Sequence, residues 1–368
     1  MKGKELGIAI VGSGRIGTLR ASLVAAHPTV SFLAVSDTDP SRARALAEKV
    51  GAQFHSGDNL EVISRPEVNA VIVSTSEHEH TLPVLQALEQ RKVVLVEKPV
   101  ATNLRDADRI IRAATQAGIA VRVGYSRRFQ RHYLLAKEQI ASGRLGEILS
   151  GTARIYNSRA QTFQILERSP EATPVLDSLT YYVDLICWFL GENSPSEVVA
   201  RGRGTVLREA GYKADETTWA ILTFANGAVV SLGINVALPS KYPTLGPSAR
   251  IEVTGTEGVL LFDDDHKEQI LYTDRGIPHS YVPGHELNMA FLSSTAPGDW
   301  ALGDFWGPLA SETRSWLDHL STGRSCALAT LEEARRTLEV TLAIERAAHT
   351  RQTVRFPFTE EGSQNKPS

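Results

Sequence analysis

The chain has 368 residues, a formal net charge of −3 and 42% hydrophobic residues. That length suffices for two domains, each able to bury its own core. Charges of both signs are interspersed with no basic tract, which argues against a nucleic-acid partner, and no apolar run approaches the length of a membrane span.

In chain order, Leu6–Val11 reads as a buried parallel strand and Arg15–Ala26 as a helix. Between them lies Gly12-Ser13-Gly14-Arg15-Ile16-Gly17. In this strand–turn–helix context the first glycine makes a tight turn, the second lets the backbone approach a pyrophosphate, and the third lets helix and strand pack closely. The helix N-terminus offers unpaired N–H groups and the positive end of its dipole. A second strand, Val30–Val35, leads to Asp37, placed where a carboxylate binds the ribose hydroxyls of NAD. A carboxylate there repels a 2′-phosphate and favours NAD, while the nearby Arg42 and Arg44 keep NADP open. Further strands are expected at Ala70–Ser74, Val93–Val96 and Ile119–Val123, with helices at Ser41–Val50, His80–Gln90 and Leu104–Ala117. Asn103, with Asp106 in the first turn, reads as an N-cap, and Gly51 and Gly118 as helix stops. The alternation implies a doubly wound parallel sheet with right-handed crossovers and a ligand beyond its C-terminal strand ends.

The pattern changes after Gly124. A helix is expected at Arg131–Ala141, a strand at Ile148–Tyr156, and a strongly apolar helix at Val175–Leu190 that stops at Gly191. Alternating segments follow at Val198–Val206, Thr217–Phe224, Ala228–Asn235, Arg250–Thr254 and Val259–Phe262, joined in part by short turns, and read as an antiparallel sheet. Helices at Leu309–Leu320 and Leu331–Ala348 and a strand at Val354–Phe356 complete the pattern. Residues 239–247 and 293–308 read as loops at the rim of a site or at a subunit contact. The expected division is a Rossmann domain binding NAD(P) over residues 1–123, an α+β substrate-binding and oligomerisation domain over 124–358, and a mobile tail over 359–368. Met1 to Glu5 carries no apolar signal region and the chain has only two cysteines, Cys187 and Cys326, so a cytoplasmic, reducing setting is expected. Cys187, within the apolar helix, reads as a core thiol.

Three clusters carry chemistry. Lys98, in Glu97-Lys98-Pro99, directly follows a parallel strand, so its ammonium belongs at the ligand edge of the sheet, where it can stabilise a developing alkoxide. Taken alone, the tripeptide reads first as a surface lysine paired with Glu97. On the helix Val175–Leu190, Asp177, Tyr181, Asp184 and Trp188 recur on one face among apolar neighbours. Such a stripe faces a ligand cavity, solvent or another subunit. In the first case Asp177 and Tyr181 meet a substrate carbinol, whose oxidation needs a proton acceptor as hydride leaves. The third cluster is Gly124-Tyr125-Ser126-Arg127-Arg128-Phe129, where an arginine either binds the cofactor or an anionic group or forms an exposed basic turn.

Other clusters read as scaffold. His78-Glu79-His80 lacks the i, i+4 spacing and third ligand of a metal site, and His80 is expected to order the loop beside the cofactor. Asp263-Asp264-Asp265-His266 has too few spaced oxygens for a calcium loop, and Arg335-Arg336 reads as a solvated face. No metal is expected.

Together these motifs resemble the glucose–fructose oxidoreductase / inositol dehydrogenase / rhizopine-catabolism family, Gfo/Idh/MocA, over nearly the whole chain. Gly12 to Gly17 resembles its cofactor loop, which implies cofactor contacts at Gly12, Gly14, Arg15 and Ile16, and Asp37 stands where the family binds the adenosine ribose. Ser74 to His80 is similar to its loop after the fourth strand, with Ser76-Glu77 in place of the usual Pro-Asn, and implies cofactor contacts at Ser74, Thr75 and His80. Glu97-Lys98-Pro99 is similar to the signature tripeptide with the catalytic lysine, and Gly124 to Phe129 to the Gly-Phe-x-Arg-Arg-Phe junction, which adds Glu97, Lys98 and Arg128 to the implied cofactor set. Asp177 to Gly191 resembles the Asp-x-x-x-His-x-x-Asp helix, but the family's usual histidine falls at Tyr181. Glucose–fructose oxidoreductase and dimeric dihydrodiol dehydrogenases also carry tyrosine there, so the resemblance implies an altered pH profile, with oxidation rising above neutrality, rather than an inactive protein.

The resemblance implies an α/β Rossmann domain followed by an α+β domain with an open, mostly antiparallel sheet, one face of which forms a subunit interface in a homodimer or homotetramer. It also implies an NAD-dependent oxidoreductase, NADP remaining possible, acting on a secondary alcohol of a sugar, cyclitol or related polyol. Lys98, Asp177 and Tyr181 are the expected catalytic residues, and Tyr156, Asn157 and Arg159 the expected substrate contacts. Two alternatives stay open: a glycosidase or lyase that uses held NAD for a transient oxidation, and a non-catalytic NAD-binding regulator.

Overall fold

The computed structural model describes residues 4–169, 171–239, 248–263, 268–278, 286–293, 299–301 and 304–360. Residues 240–247 of the loop expected over 239–247, most of Asp263-Asp264-Asp265-His266, and residues 361–368 of the tail expected over 359–368 lie outside the described residues. The chain divides into two units, residues 1–129 with 296–338 and residues 130–295 with 339–368.

The first unit opens with β1 (Leu6–Val11), α1 (Arg15–Ala25), β2 (Val30–Ser36), α2 (Pro40–Val50), β3 (Phe54–Ser56), α3 (Asn59–Ile63) and β4 (Ala70–Val73). It continues through α4 (Thr81–Glu89), β5 (Val93–Glu97), α5 (Leu104–Ala117) and β6 (Val121–Gly124). The six strands form one parallel sheet in the order β3-β2-β1-β4-β5-β6. Every residue of β1 and β4 is buried, as a parallel sheet covered on both faces requires. Asn103 accepts from the Asp106 N–H, and Gly51 and Gly118 end their helices in the left-handed region at φ 68° and 63°. β3 and α3 fall where no element was expected.

In the second unit come α6 (Arg131–Ala141), β7 (Ile148–Ser158), α7 (Arg159–Arg168), a π-helical turn at Val175–Leu179 and α8 (Thr180–Leu190). Next are β8 (Pro195–Arg203), α9 (Val206–Glu209), β9 (Thr217–Phe224), β10 (Val229–Leu238), β11 (Ser248–Gly255), β12 (Gly258–Asp263), β13 (Glu268–Pro278) and β14 (Glu286–Ser293). The nine-stranded sheet runs β14-β13-β12-β11-β7-β10-β9-β8 and ends on β17 (Val354–Arg355), reached after β15 (Asp299–Ala301), β16 (Asp304–Trp306), α10 (Pro308–Thr322) and α11 (Leu331–Thr350). Every pairing is antiparallel except β7 with β10, so the sheet is mostly antiparallel, as expected. The strand expected at Val198–Val206 starts and ends earlier, because Val206 begins a helical turn. β13 and β14 were not expected.

The second domain was expected to run unbroken from residue 124, yet residues 296–338 group with the first unit. Trp316 and Leu317 of α10 are fully buried in the same core as Ile8, Ile10, Val24 and Leu95, and Ala329 bridges to Val123 of β6. Burying a side chain of that size stabilises by roughly 1.5–3 kcal/mol, which fixes α10 to this core.

Candidate functional site

The three glycines of the first turn divide the work by geometry. Gly12 holds φ +97°, and a Cβ there would lie 2.7 Å from the Ser74 carbonyl oxygen. Gly14 precedes α1 with open space where its Cβ would point, and no side chain caps the helix. Gly17 packs so closely on Gly12 that a Cβ would overlap the Gly12 carbonyl. Arg15 is exposed and Ile16 half-buried beside them. Asp37 closes the loop: its Oδ2 accepts from the Ser13 N–H at 2.8 Å and its Oδ1 from the Asp39 N–H at 3.0 Å. Across the turn, the hydroxyls of Ser74 and Thr75 are buried with no hydrogen-bond partner among the described residues. An uncapped helix end, an open second glycine, a carboxylate at the end of β2 and two unpartnered hydroxyls fit a dinucleotide. Arg42 is exposed within 3.6 Å of Asp39, and Arg44 pairs with Glu48 at 2.8 Å, so both arginines already have acidic neighbours.

Lys98 follows β5 at the same sheet edge and is only 9% exposed, which sets aside a solvated surface lysine. His80 is fully buried beside this segment, with Nδ1 2.7 Å from the Pro99 carbonyl oxygen and Nε2 3.2 Å from that of Thr75. Burial lowers its pKa, although the Pro99 and Thr75 carbonyls and the carboxylates of Glu77 and Glu97 pull the other way. His78, by contrast, is exposed near Glu79. Arg128 is buried, not part of an exposed basic turn, and its Nη1 donates to Glu333 of α11 at 2.9 Å. Burial favours the neutral Glu333 carboxyl, but Arg128 and the Thr330 N–H hold it below the usual carboxylate range.

Glu97 was expected to touch the cofactor. Its Oε1 accepts from Arg20 Nε at 2.8 Å and Nη2 at 2.7 Å. Arg20, on α1, carries no sequence motif and was not singled out. No local pattern could have shown it, because its partners lie far away in the chain.

In the second unit, Asp177 sits in the π-helical turn and Tyr181 one residue into α8, both half-buried. Asp184 and Trp188 of the same stripe are buried. The turn is braced from outside: the Thr173 hydroxyl donates to Glu345 and accepts from the Leu176 N–H, while the Thr173 carbonyl accepts from the Asp177 N–H at 2.9 Å. A small cleft brings Asp177 and Ser178 together with Asn157, Thr162 and Thr173. Tyr156 and Arg159, expected beside Asn157, do not line it. Side chains alternate across β7, so Tyr156 lies on the opposite face under the Arg154 guanidinium, and Arg159 begins α7 with Nε donating to the Ala237 carbonyl at 2.9 Å.

The same alternation leaves an outward sheet face. By register Val199, Ile221, Trp219 and Val229 share it across β8, β9 and β10, and Leu261 and Tyr272 continue it on β12 and β13. All six are at least 36% exposed.

Among the described residues no helix is long and apolar enough to cross a membrane.

Comparison with known proteins covers both units. Residues 6–125 match the model of an oxidoreductase family with an NAD-binding Rossmann fold, and residues 133–261 match the GFO/IDH/MocA C-terminal domain. Myo-inositol 2-dehydrogenase of Thermotoga maritima is 30% identical over 278 residues, 73% of this chain and 78% of that protein. The NAD(+)-dependent scyllo-inositol 2-dehydrogenase of Bacillus subtilis is 26% identical over 280 residues, 75% of this chain and 79% of that protein. The crystal structure of scyllo-inositol dehydrogenase from Lactobacillus casei with NAD(H) and scyllo-inositol shares the fold, with a TM-score of 0.75 at 19% identity over 96% of this chain and 99% of that one.

Proposed function

The chain belongs to the Gfo/Idh/MocA family of NAD-binding oxidoreductases, and from that membership we infer that it is an NAD-dependent dehydrogenase of a secondary hydroxyl on a polyol, inositols foremost. The observation that carries this reading is the buried Lys98 at the strand edge that also holds the glycine turn. Gly12, Gly14, Asp37, Ser74 and Thr75 would hold the nucleotide. NAD, when bound, supplies the acceptor of the hydride.

The remaining work belongs to side chains. Lys98 hydrogen-bonds the substrate oxygen and stabilises the charge it gains as its proton leaves. Tyr181, as its phenolate, is the residue assigned to accept that proton. Asp177 and Asn157 are the residues assigned to bind neighbouring hydroxyls of the polyol. A panel of inositols, sugars and sugar acids, followed at the NADH absorbance band with NAD and with NADP, tests the reading. Turnover of at least one cyclitol or sugar supports it, and nucleotide binding without turnover across the panel rejects it.

Asp37 sets the cofactor preference. Asp37→Asn keeps an oxygen for the Ser13 N–H and removes the charge that opposes a 2′-phosphate. We expect its preference for NAD over NADP to fall by about tenfold, about 1.4 kcal/mol. An unchanged ratio of kcat/KM values would contradict that role.

The outward sheet face supports a homo-oligomer built on it, as a dimer or tetramer. Its clustered apolar side chains are those that a second copy would cover. Ile221→Glu is expected to shift the protein to a smaller species in light scattering after gel filtration. A parent protein that is already monomeric contradicts the assignment.

A further inference from the structure

Arg20 is a buried cation of the first unit, and its side chain is completely shielded from solvent. Three residues take its N–H groups. Glu97 Oε1 accepts from Nε and Nη2, Glu312 Oε2 accepts from Nη2 at 2.5 Å, and Thr313 Oγ1 accepts from Nη1 at 2.6 Å. Thr313 in turn donates to the Leu309 carbonyl at 2.7 Å, which fixes its hydroxyl as an acceptor toward Arg20. Glu312 and Thr313 belong to α10, anchored by Trp316 and Leu317 in the core. Glu97 is the last residue of β5, and Lys98 is the next residue. The opposite side of the cluster is shut by Gly124, where a Cβ would lie 3.0 Å from Arg20 Nη2 and 3.2 Å from Glu97 Oε2.

One cation faces two carboxyl groups here, and their environments differ. Burial works against the Arg20 charge, but Glu97 and then Glu312 outweigh it and keep the guanidinium more basic than usual. Burial pushes the Glu312 carboxyl up to about 7, with Arg20 pulling it down and Glu97 raising it further. Its Oε1 is buried with no hydrogen-bond partner among the described residues, a position that suits a carboxylic acid better than a carboxylate. A buried charge cluster of this kind is weak as a source of stability and strong as a source of fixed geometry.

We propose that Glu312 and Thr313 are positioning residues: through Arg20 they fix the Glu97 carboxylate, and with it the strand end that delivers the Lys98 ammonium. This rests on the catalytic role assigned to Lys98 above. The lever is direct, because a turn of the Glu97 backbone carries the Lys98 side chain with it. A displacement of about 1 Å at a reacting group can cost roughly 10²-fold in rate.

The double variant Glu312→Leu/Thr313→Val tests the proposal. It leaves Arg20 and Glu97 as a neutral pair and removes the anchors on α10. The variant deprives the buried Arg20 of two hydrogen-bond acceptors and so costs stability, and a purely structural role predicts a lower thermal midpoint with an undiminished kcat for the folded protein. Positioning predicts, for the folded protein, an NAD Kd within about twofold and a kcat lower by about tenfold or more. Glu312→Gln with Thr313→Ser keeps both acceptors and is expected to retain kcat within about threefold. Should the leucine/valine variant fail to fold, Thr313→Val alone decides, with kcat expected to fall about threefold. A folded double variant, or in its absence a folded Thr313→Val, that turns over at the parent rate overturns the proposal. Lys98→Met, run beside them, separates the two ideas: an inactive Lys98 variant next to an unaffected α10 variant rejects the positioning role alone, whereas an active Lys98 variant rejects the reading beneath it.

Discussion

Lys98→Met is expected to lower kcat by roughly 10²–10³-fold, about 3–4 kcal/mol, while the Kd for NAD stays within about threefold. Methionine keeps the unbranched stem and its packing but carries no ammonium. The split follows from where the charge is used. In the proposed reading the glycine turn, Asp37 and the hydroxyls of Ser74 and Thr75 serve nucleotide binding, whereas the lysine acts on the substrate oxygen as it gains charge. Burial enlarges the effect, since a charge held away from water acts through a lower effective dielectric. Titration of nucleotide binding by fluorescence, beside steady-state turnover of the best polyol, checks both halves. A variant that turns over like the parent contradicts the role.

Tyr181→Phe is expected to cost about 10²–10⁴ in kcat, the range for loss of a general acid–base group. Tyr181→His is the sharper experiment. A free phenol titrates near 10 and a free imidazole near 6.5. Oxidation by the parent should rise above neutral pH as the phenol becomes able to accept a proton, and the histidine variant should shift that rise toward about 6.5. The measurement is kcat against pH for the three proteins. A parent profile that already rises near 6.5 points to a histidine elsewhere, such as the exposed His78.

The Rossmann half was largely legible in the sequence because its signals are local. β1, the glycine turn and α1 lie within about twenty residues, and each glycine role follows from backbone geometry alone. The glycine stops at Gly51 and Gly118 and the Asn103 cap are equally local. β3 and α3 were missed because three and five residues give no measurable period. α7 (Arg159–Arg168) was also missed. The helix Pro308–Thr322 was legible as a helix, yet its place in the first unit depends on Trp316 and Leu317 meeting a core built from residues far earlier in the chain, Ile8, Ile10, Val24 and Leu95 among them.

Long separation explains the site in the same way. The resemblance placed Glu97 at the cofactor, but nothing in the sequence showed that its carboxylate is held by Arg20, 77 residues away, which is held in turn by Glu312, 292 residues away. Sequence spacing carries no information at that range. Tyr156 and Arg159 were grouped with Asn157 by proximity along the chain. The pleat sends Tyr156 to the other face, and the start of α7 removes Arg159 from the strand.

The most direct measurement follows one hydrogen. A polyol substrate found in the panel, deuterated at the carbon that is oxidised, is incubated with the enzyme and NAD, and the nucleotide and organic products are weighed by mass spectrometry. The account predicts that each NADH released carries one deuterium and appears together with one equivalent of ketone. Deuterium returned to an organic product with the nucleotide still bound and no net NADH would instead establish a transient redox cycle, and would contradict the dehydrogenase assignment.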